Sequence, residues 1–541
     1  MLDRIRVGLR SWRESSLRPF SIPLFRSLWI AALASNLGAV IQSVGAAWTM
    51  TILAPSPQMV ALVPAAAMLP MVILALPAGA LADIMERRRL MLASQIIGAC
   101  AAGLLSILAF AHLVTPWLLL ALTAVVGASV AIHQPAWQAS LGDFVPRKDL
   151  PAAVSLNVIA FNTARSVGPA IGGALIAAMS ASATFLLNAV SFLGLIVVLA
   201  TRTLPRAERR HPPEPMLSAM AVGVRFVGLS PQLKRIFLRG ALFGLGASAL
   251  QSLLPLMARS QLGGGPIVFG TLVGSLGFGS FFGALIATHV RANIGGNRML
   301  GGATLVYASA TLVIAISTRL LLSVPFAFVA GVAFIFVLTT TRTSVQLCCP
   351  RWVVGRAVSL GQVASFGCMA LGSAGWGAIA GLVGLSTALL IAAGFLTLTT
   401  LLHRLAPLPV VVAEEAAKRA PPQVPAPSLA IDDEAGPIMI TIEYTVPPDE
   451  SRTFLALMHE LGRARRRNGA IDWSIQQDVD RPEVWVEHIA SSTWIDHVRR
   501  LDRYTNTERA LTDRAARFRT TTDRAVRRMI AFPAGSRLPP G

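Results

Sequence analysis

Arg165 stands where a charged side chain is hardest to keep. It lies well inside the apolar stretch 151–178, with Asn162 three residues before it and Phe161 four before it on a neighbouring helical face. An ionised group at membrane depth costs on the order of a few kcal/mol or more, which makes it a functional candidate by default. It could line a cavity or gate a conformational change; snorkelling toward the headgroups is the plainer alternative. Arg342, in the run Thr339-Thr340-Thr341-Arg342-Thr343-Ser344, sits nearer the end of the stretch 320–346, where snorkelling and binding stand level. No carboxylate falls at the middle of any such stretch: between Ser27 and Arg404 the acids are Asp83, Glu86, Asp143, Asp149, Glu208 and Glu214, all in or beside predicted loops. Buried positive charge without a fixed acid fits an anionic or polyphenolic substrate, although two arginines could instead pair with helix C-termini. The four cysteines (Cys100, Cys348, Cys349, Cys368) lie in or next to apolar stretches without metal-ligand spacing, and read as small buried residues. No metal or cofactor is expected.

The elements that must position these residues are helices in lipid. The chain has 541 residues, 54% hydrophobic and 14% charged, with mean hydropathy +0.61. Soluble domains carry about 25% charged residues, so much of this surface must face lipid. From about residue 410 onward charge becomes ordinary, so the chain meets lipid first and water afterwards. The formal charge of +20 comes mainly from arginines beside apolar segments, as orientation signals do, and a nucleic-acid partner is rejected.

A helix of about 20 apolar residues crosses the roughly 30 Å hydrocarbon core. Twelve stretches qualify: 27–52, 57–82, 90–112, 115–138, 151–178, 181–201, 234–257, 266–290, 299–317, 320–346, 356–382 and 384–404, the fifth and eleventh interrupted by Gly and polar residues. The odd connections hold only Arg259 and Arg319. The even ones carry Arg87-Arg88-Arg89, Arg147-Lys148, the run from Arg202 to Arg239, Arg291 with Arg298, and Arg351 with Arg356. That alternation, with six arginines in the N-terminal segment, places both termini in the cytoplasm of a multi-pass protein of the inner (cytoplasmic) membrane. Met1–Arg26 lacks an apolar core before a small-residue site, so no cleavable signal peptide is read there.

The expected fold class is an all-α polytopic membrane protein, with twelve transmembrane helices in two six-helix halves and a small C-terminal α+β ferredoxin-like domain. The expected segments are a cytoplasmic N-terminal piece (1–26), the first half (27–201), a cytoplasmic central loop (202–233), the second half (234–404), a flexible linker (405–437), the ferredoxin-like domain (438–530) and a disordered tail (531–541). Within the central loop, Met216–Val227 reads as an amphipathic helix on the inner leaflet, or else as a plain soluble linker.

Two halves joined by a basic loop suggest a transporter built from repeats, and the residues after the second stretch make a family visible. Gly79-Ala80-Leu81-Ala82-Asp83-Ile84-Met85-Glu86-Arg87-Arg88-Arg89 resembles the major facilitator signature G-x-L-x-D-[RK]-x-G-[RK]-[RK], with Ile84 and Glu86 departing from it. The resemblance implies that Gly79, Asp83, Arg87 and Arg88 latch one conformation shut on the cytoplasmic side. Pro135-Ala136-Trp137-Gln138-Ala139, Val145–Ala153 and Ala160-Phe161-Asn162-Thr163-Ala164-Arg165-Ser166-Val167-Gly168-Pro169-Ala170-Ile171-Gly172-Gly173 look like the transmembrane secretion effectors, a subfamily that includes the enterobactin exporters. The G-P-x-x-G-G tail also resembles the antiporter signature of drug and metabolite exporters. Physically, Gly168 and Gly172 make a small-xxx-small packing face, and Pro169 frees a backbone carbonyl. The same subfamily is echoed in Val345-Gln346-Leu347, Pro350–Val353, Gly355-Arg356-Ala357 and Met369–Ser373 with Trp376-Gly377.

The family fold sets its first, fourth, seventh and tenth helices around a central cavity. On that basis Asn36, Gln42, His133, Gln134, Gln251 and Arg342 join Asn162 and Arg165 as substrate-cavity candidates, each equally able to make an interhelical hydrogen bond. Coupling stays open, since Asp83, Asp143 and His133 are the near proton sites and all lie close to the cytoplasmic face.

In the tail, Ile438–Val446 alternates as a strand, Glu450–Arg467 has helical spacing, Ile471–Asp478 and Glu483–Ile489 read as strands, and helices follow over 491–502 and 507–530. This resembles the C-terminal extension of secretion effectors and, more distantly, antibiotic-biosynthesis monooxygenases, whose sheets dimerise; a homodimer through this domain is the implied assembly. Trp473, Trp485, His488, Trp494 and His497 form no nucleophile–base or metal spacing, so no catalytic residue is assigned. The reading is a secondary transporter exporting a siderophore-like, drug-like or other secondary metabolite by alternating access, with small-molecule and lipid partners. A membrane-anchored monooxygenase and a scramblase- or receptor-like protein are the rivals.

The charge alternation generates a direct test of topology. In intact cells, a cysteine introduced at Ser56 should react with an impermeant thiol reagent while one at Arg209 stays protected; the reverse pattern would invert the orientation.

Overall fold

A computed structural model of the chain describes residues 18–54, 56–146, 149–202, 223–350, 353–401, 405–408, 429, 431–432, 434–502, 506–519 and 526–532. The side chains of residues 75, 76, 79, 80, 82–84, 502, 506 and 507 also lie outside this description. The expected linker, most of the central loop and the ends of both terminal segments therefore fall largely outside the described residues.

Twelve long helices run in order: α1 Pro23–Leu53, α2 Pro57–Ile84, α3 Arg87–Phe110, α4 Pro116–Phe144, α5 Leu150–Ala178, α6 Ala181–Thr201, α7 Pro231–Leu256, α8 Pro266–Ile294, α9 Gly296–Ile316, α10 Leu320–Cys348, α11 Val354–Val383 and α12 Leu385–Thr399. Helices are the form that satisfies each backbone N–H and C=O within one segment, which hydrocarbon demands. Proline opens α1, α2, α4 and α8, where a missing N–H costs nothing. Ten of the twelve are long and apolar enough to cross a membrane. The exceptions are α5, whose 29 residues are diluted by Asn157, Asn162 and Arg165, and α12, an apolar helix of 15 residues against the longer stretch expected at 384–404.

The chain divides into two compact units. The first holds Met1–Pro213, Ile236–Arg342 and Gly361–Leu408; the second holds Glu214–Arg235, Thr343–Leu360 and Pro409–Gly541. Within the first unit, α1, α3, α4, α5 and α6 share a core around Phe25, Leu28, Met91, Trp137, Phe144, Leu156 and Leu195. The closest seam is α5 on α8. Gly173 and Gly270 face each other so tightly that a Cβ on either would stand 2.8 Å from the other's Cα, and a Cβ on Gly277 would stand 2.5 Å from the Arg165 carbonyl oxygen. Ser166 Oγ donates across the same seam to the Gly277 carbonyl at 3.0 Å.

In the second unit, β1 Ile438–Thr445, α13 Ser451–Arg467, β2 Asp472–Gln477, β3 Val484–Ser491, α14 Trp494–Asp502, α15 Asn506–Ala516 and β4 Val526–Ile530 form an antiparallel sheet in the order β2-β3-β1-β4. That is the split order of a ferredoxin-like unit. The expected helix over 507–530 is corrected: it stops at Ala516, and Val526–Ile530 instead pairs with β1 as an edge strand. Its arginines at 527 and 528 hid the strand, since charged residues are how an edge is protected. The interfacial helix expected over 216–227 is described only from 223, as a short helix 223–228. There Arg225 Nη1 donates to the Ala470 carbonyl at 2.9 Å, and the Arg467 guanidinium lies 5.6 Å over the Phe226 ring, so this segment docks on the ferredoxin-like domain.

The α5–α8 seam sets a stability expectation. Gly277→Val should force the two backbones apart at a cost of about 1–3 kcal/mol, lowering the detergent melting temperature. Gly394→Ala, with open space around it, should cause no loss; equal melting of the two variants would remove the seam as a stabilising contact.

Candidate functional site

The basic turn after α2 is a fastening of helix ends. Arg87 Nη1 meets Asp143 Oδ2 at 2.8 Å and donates to the Ala139 carbonyl at 3.1 Å, tying the start of α3 to the end of α4. Arg88 donates through Nε to the Leu199 carbonyl (2.7 Å) and through Nη2 to the Ala200 carbonyl (2.8 Å), where the last turn of α6 leaves acceptors without helical partners. Gly79 and Asp83 lie in the last turns of α2, and their side-chain surroundings fall outside the described residues. Asp143, weighed in the sequence only as a proton site, is the partner that Arg87 finds.

The glycine run of α5 serves two neighbours at once. A Cβ on Gly168 would meet Val40 at 2.8 Å, and one on Gly172 would meet Val44 at 3.2 Å, both on α1; Gly173, one position on, faces α8. Pro169 offers its carbonyl to the same seam, 3.0 Å from where a Gly270 Cβ would be. These close approaches fix where Arg165 starts. Its guanidinium then lies 5.4 Å over the Phe334 ring of α10 and within electrostatic reach of Tyr307 on α9. Phe243 (α7), Tyr307 and Phe334 form one aromatic wall, with centroid separations of 5.4, 5.9 and 6.3 Å. Among the described residues Arg165 has neither an ion-pair nor a hydrogen-bond partner. Gln251 lies beside the Tyr307 hydroxyl, which stands in reach of its buried Nε2. The Tyr307 hydroxyl is committed to the Ala247 carbonyl at 2.9 Å.

The remaining candidates separate. Gln42 is buried and accepts from Asn188 Nδ2 at 2.5 Å, an α1–α6 clamp that leaves its Oε1 occupied. Asn162 donates back to the Val158 carbonyl of its own helix at 2.9 Å. His133 stacks on Trp137 with centroids 5.7 Å apart, its Nδ1 buried without a partner, while Trp137 Nε1 donates to Asn157 Oδ1 at 3.0 Å. Asn36 and Gln134 are half-buried, and Arg342 is exposed. The structure thus brings Arg165 and Gln251 to one aromatic wall and does not bring Arg342 there. Tyr307 and the two phenylalanines were missed by sequence reasoning. A tyrosine inside an apolar stretch was the available signal, because a buried hydroxyl requires a partner.

In the tail, Trp473 and Trp485 belong to the domain core and Trp494 packs against it. Glu487 is fully buried in the ferredoxin-like core and accepts from Tyr444 Oη (2.9 Å), Trp473 Nε1 (2.9 Å) and Arg465 Nε (3.3 Å). Trp485 packs in the same core, and Trp494 lies tilted against His497 at 5.3 Å. Arg500 Nη2 lies 3.1 Å from His497 Nδ1. His488 faces out from β3, half-buried, and joins none of this. Burial, reinforced by Arg500 and Arg528, pushes His497 down to about 4.

Two six-helix halves, a helix-fastening basic turn and a cation placed at the seam of the halves define a major facilitator-type transporter, a multi-pass membrane protein. The particular family follows from the whole-chain comparison: the transmembrane secretion effector model matches residues 14–534, and the chain belongs to that family. Curated relatives agree. An uncharacterised MFS-type transporter, YfiS of Bacillus subtilis, is 27% identical over 60% of this chain and 78% of its own length. The staphyloferrin A transporter of Staphylococcus aureus is 25% identical over 42% of this chain and 57% of its own, and the multidrug efflux pump Tap of Mycobacterium tuberculosis is 31% identical over 40% and 52%. The chain thus spans little more than half the length of these two. Among solved structures, an inward-facing bacterial homolog of the human lysosomal transporter Spinster superposes with TM-score 0.59 at 16% identity, over 72% of this chain and 97% of its own. At such identity the fold alone is shared. The family and these neighbours are transporters, not enzymes.

The buried His497 generates a pH expectation for the tail. Between about pH 6.5 and pH 4 the unfolded chain takes up a proton there that the folded domain refuses. Stability is therefore lost as pH falls through that window, by up to about 1.4 kcal/mol per pH unit. Acid titration of the full chain followed by tryptophan fluorescence should show this slope, and His497→Gln should flatten it; an unchanged slope would assign the acid sensitivity to other groups.

Proposed function

We propose that this chain is a secondary active exporter of a small organic molecule across the inner membrane, with both termini in the cytoplasm, working by alternating access between the α1–α6 and α7–α12 halves. The observation that carries the reading is where the halves meet. At the arginine-poor ends, Arg259 Nη1 donates to the Thr51 carbonyl, Trp48 stacks on Phe269 at 6.1 Å, and a Cβ on Gly377 of α11 would stand 2.6 Å from Ala61 Cβ of α2. By the positive-inside rule the arginine-poor ends face outward. The halves so joined are closed toward the outside, the state in which an exporter loads from the cytoplasm. The relative named as a multidrug efflux pump supports the direction, and together with the staphyloferrin A transporter it supports a small-molecule substrate.

The carrier reading makes a comparative prediction. Metabolite profiles of medium from cells with and without the protein should differ in one or a few small molecules. Inside-out vesicles should then accumulate those molecules when energised, and vesicles lacking the protein should not. Gly377→Leu, which wedges α11 from α2, should abolish accumulation while the protein remains in the membrane. Matching profiles and no accumulation would overturn the exporter reading.

A further inference from the structure

Resting on that reading, we propose that the exported substrate is an organic anion with an aromatic body, gripped by Arg165 and Gln251 against the wall of Phe334, Tyr307 and Phe243. The case begins with a count of charge. None of α5, α7, α8, α9 and α10, the helices that supply or adjoin these residues, contains an Asp or Glu. Asp143, at the end of α4, is taken by Arg87. Among the described residues the Arg165 charge is therefore left without a fixed counter-ion, in a setting where Coulomb interactions are far stronger than in water.

Hydrogen-bond supply points the same way. Arg165 presents five N–H donors in a planar fork, and the buried Gln251 Nε2, with the Tyr307 hydroxyl in reach, adds a further donor beside it. The Tyr307 hydroxyl gives its proton to Ala247 and adds none. A donor-rich place without a carboxylate calls for a ligand rich in acceptors and negatively charged. Carboxylate and sulfonate match the fork through two oxygens at once. A cation brought here would face Arg165 with like charge.

The wall sets the other half of the ligand. Three rings from α7, α9 and α10 stand within 6.3 Å of one another, with Phe243 6% and Phe334 3% exposed and Tyr307 fully enclosed, so an aromatic body reaches their edges as the halves part and then continues their edge-on and tilted packing beside the guanidinium. Because Arg165 comes from one half and the wall from the other, a ligand held between them touches both bodies that alternating access would move. The backbone of Arg165 is pinned by Gly277, so the side chain reaches the wall from a fixed origin.

The test uses the full-length protein in detergent and in vesicles, with salicylate and naphthalenesulfonate as anionic probes, salicylamide as the neutral match and tetraphenylphosphonium as the cation. Both anions should raise the melting temperature and quench tryptophan fluorescence, and salicylamide should do neither. Arg165→Gln should weaken anion binding at least roughly tenfold, the loss expected when a charge-assisted pair is removed. Arg165→Lys should recover part of it, and Gln251→Leu should weaken it less. Melting temperatures without probe, within a few degrees of wild type, show that the variants fold. Equal binding of salicylate and salicylamide, or an Arg165→Gln protein that folds and binds the anions as wild type does, would overturn the anion site. Export of tetraphenylphosphonium unaffected by Arg165→Gln would sink the anion class while leaving the exporter reading intact. Arg165-dependent binding without flux under any gradient would sink the exporter reading instead.

Discussion

Direct backbone approach between α5 and α8 is the constraint from which the rest of the bundle takes its shape. Lipid tails are as apolar as leucine, so membrane helices gain little from hiding apolar surface and must associate through close packing and interhelical hydrogen bonds. Gly173, Gly270 and Gly277 remove the side chains that would hold these helices apart, and Ser166 adds a hydrogen bond along the same line. One helix from each half is thereby brought to backbone contact. Gly168 and Gly172, on the adjoining face of α5, seat α1 in the same way. On the same helix Arg165 reaches the Phe334 ring of α10.

The arginines of this protein have three distinct fates, set by what each can reach. Arg87 finds a carboxylate and a carbonyl at the end of α4. Arg88 finds carbonyls at the end of α6, where the helix dipole favours a cation. Arg165 finds an aromatic face and no acceptor among the described residues. The first two are fastenings, each tying the start of α3 to the end of another helix. The third is a charge set against an aromatic ring, and holding it costs stability that packing of the bundle must offset.

The ferredoxin-like domain answers the same polar problem in water. Glu487 is fully buried, yet three donors converge on it, so its desolvation is compensated within the core. The domain also holds the short helix 223–228 through Arg225 and Arg467. That helix lies just ahead of α7, and the second unit also contains the end of α10 and the start of α11.

Much of the architecture is written locally and needs no partner to be read. Apolar length, the spacing of glycines and the alternation of arginine between connections depend on one segment and one solvent at a time. Those signals placed the helices, the basic turn and the glycine run of α5, and they marked Arg165 as out of place. They could not say that Gln42 is spent on Asn188, that Arg342 points away, or that Tyr307 and Phe334 form the wall beside Arg165. Each of those facts joins residues from different helices, and helical periodicity gives the face of one helix without the identity of its neighbour. The edge strand Val526–Ile530 escaped for a related reason, since its charges read as helix until pairing with β1 supplies the partner that makes it a strand. The sequence by itself determined which residues are costly in lipid; tertiary structure decided which of those costs a neighbouring helix end meets, as at Arg87 and Arg88, and which rest on an aromatic face, as at Arg165, because that choice depends on which helices stand side by side.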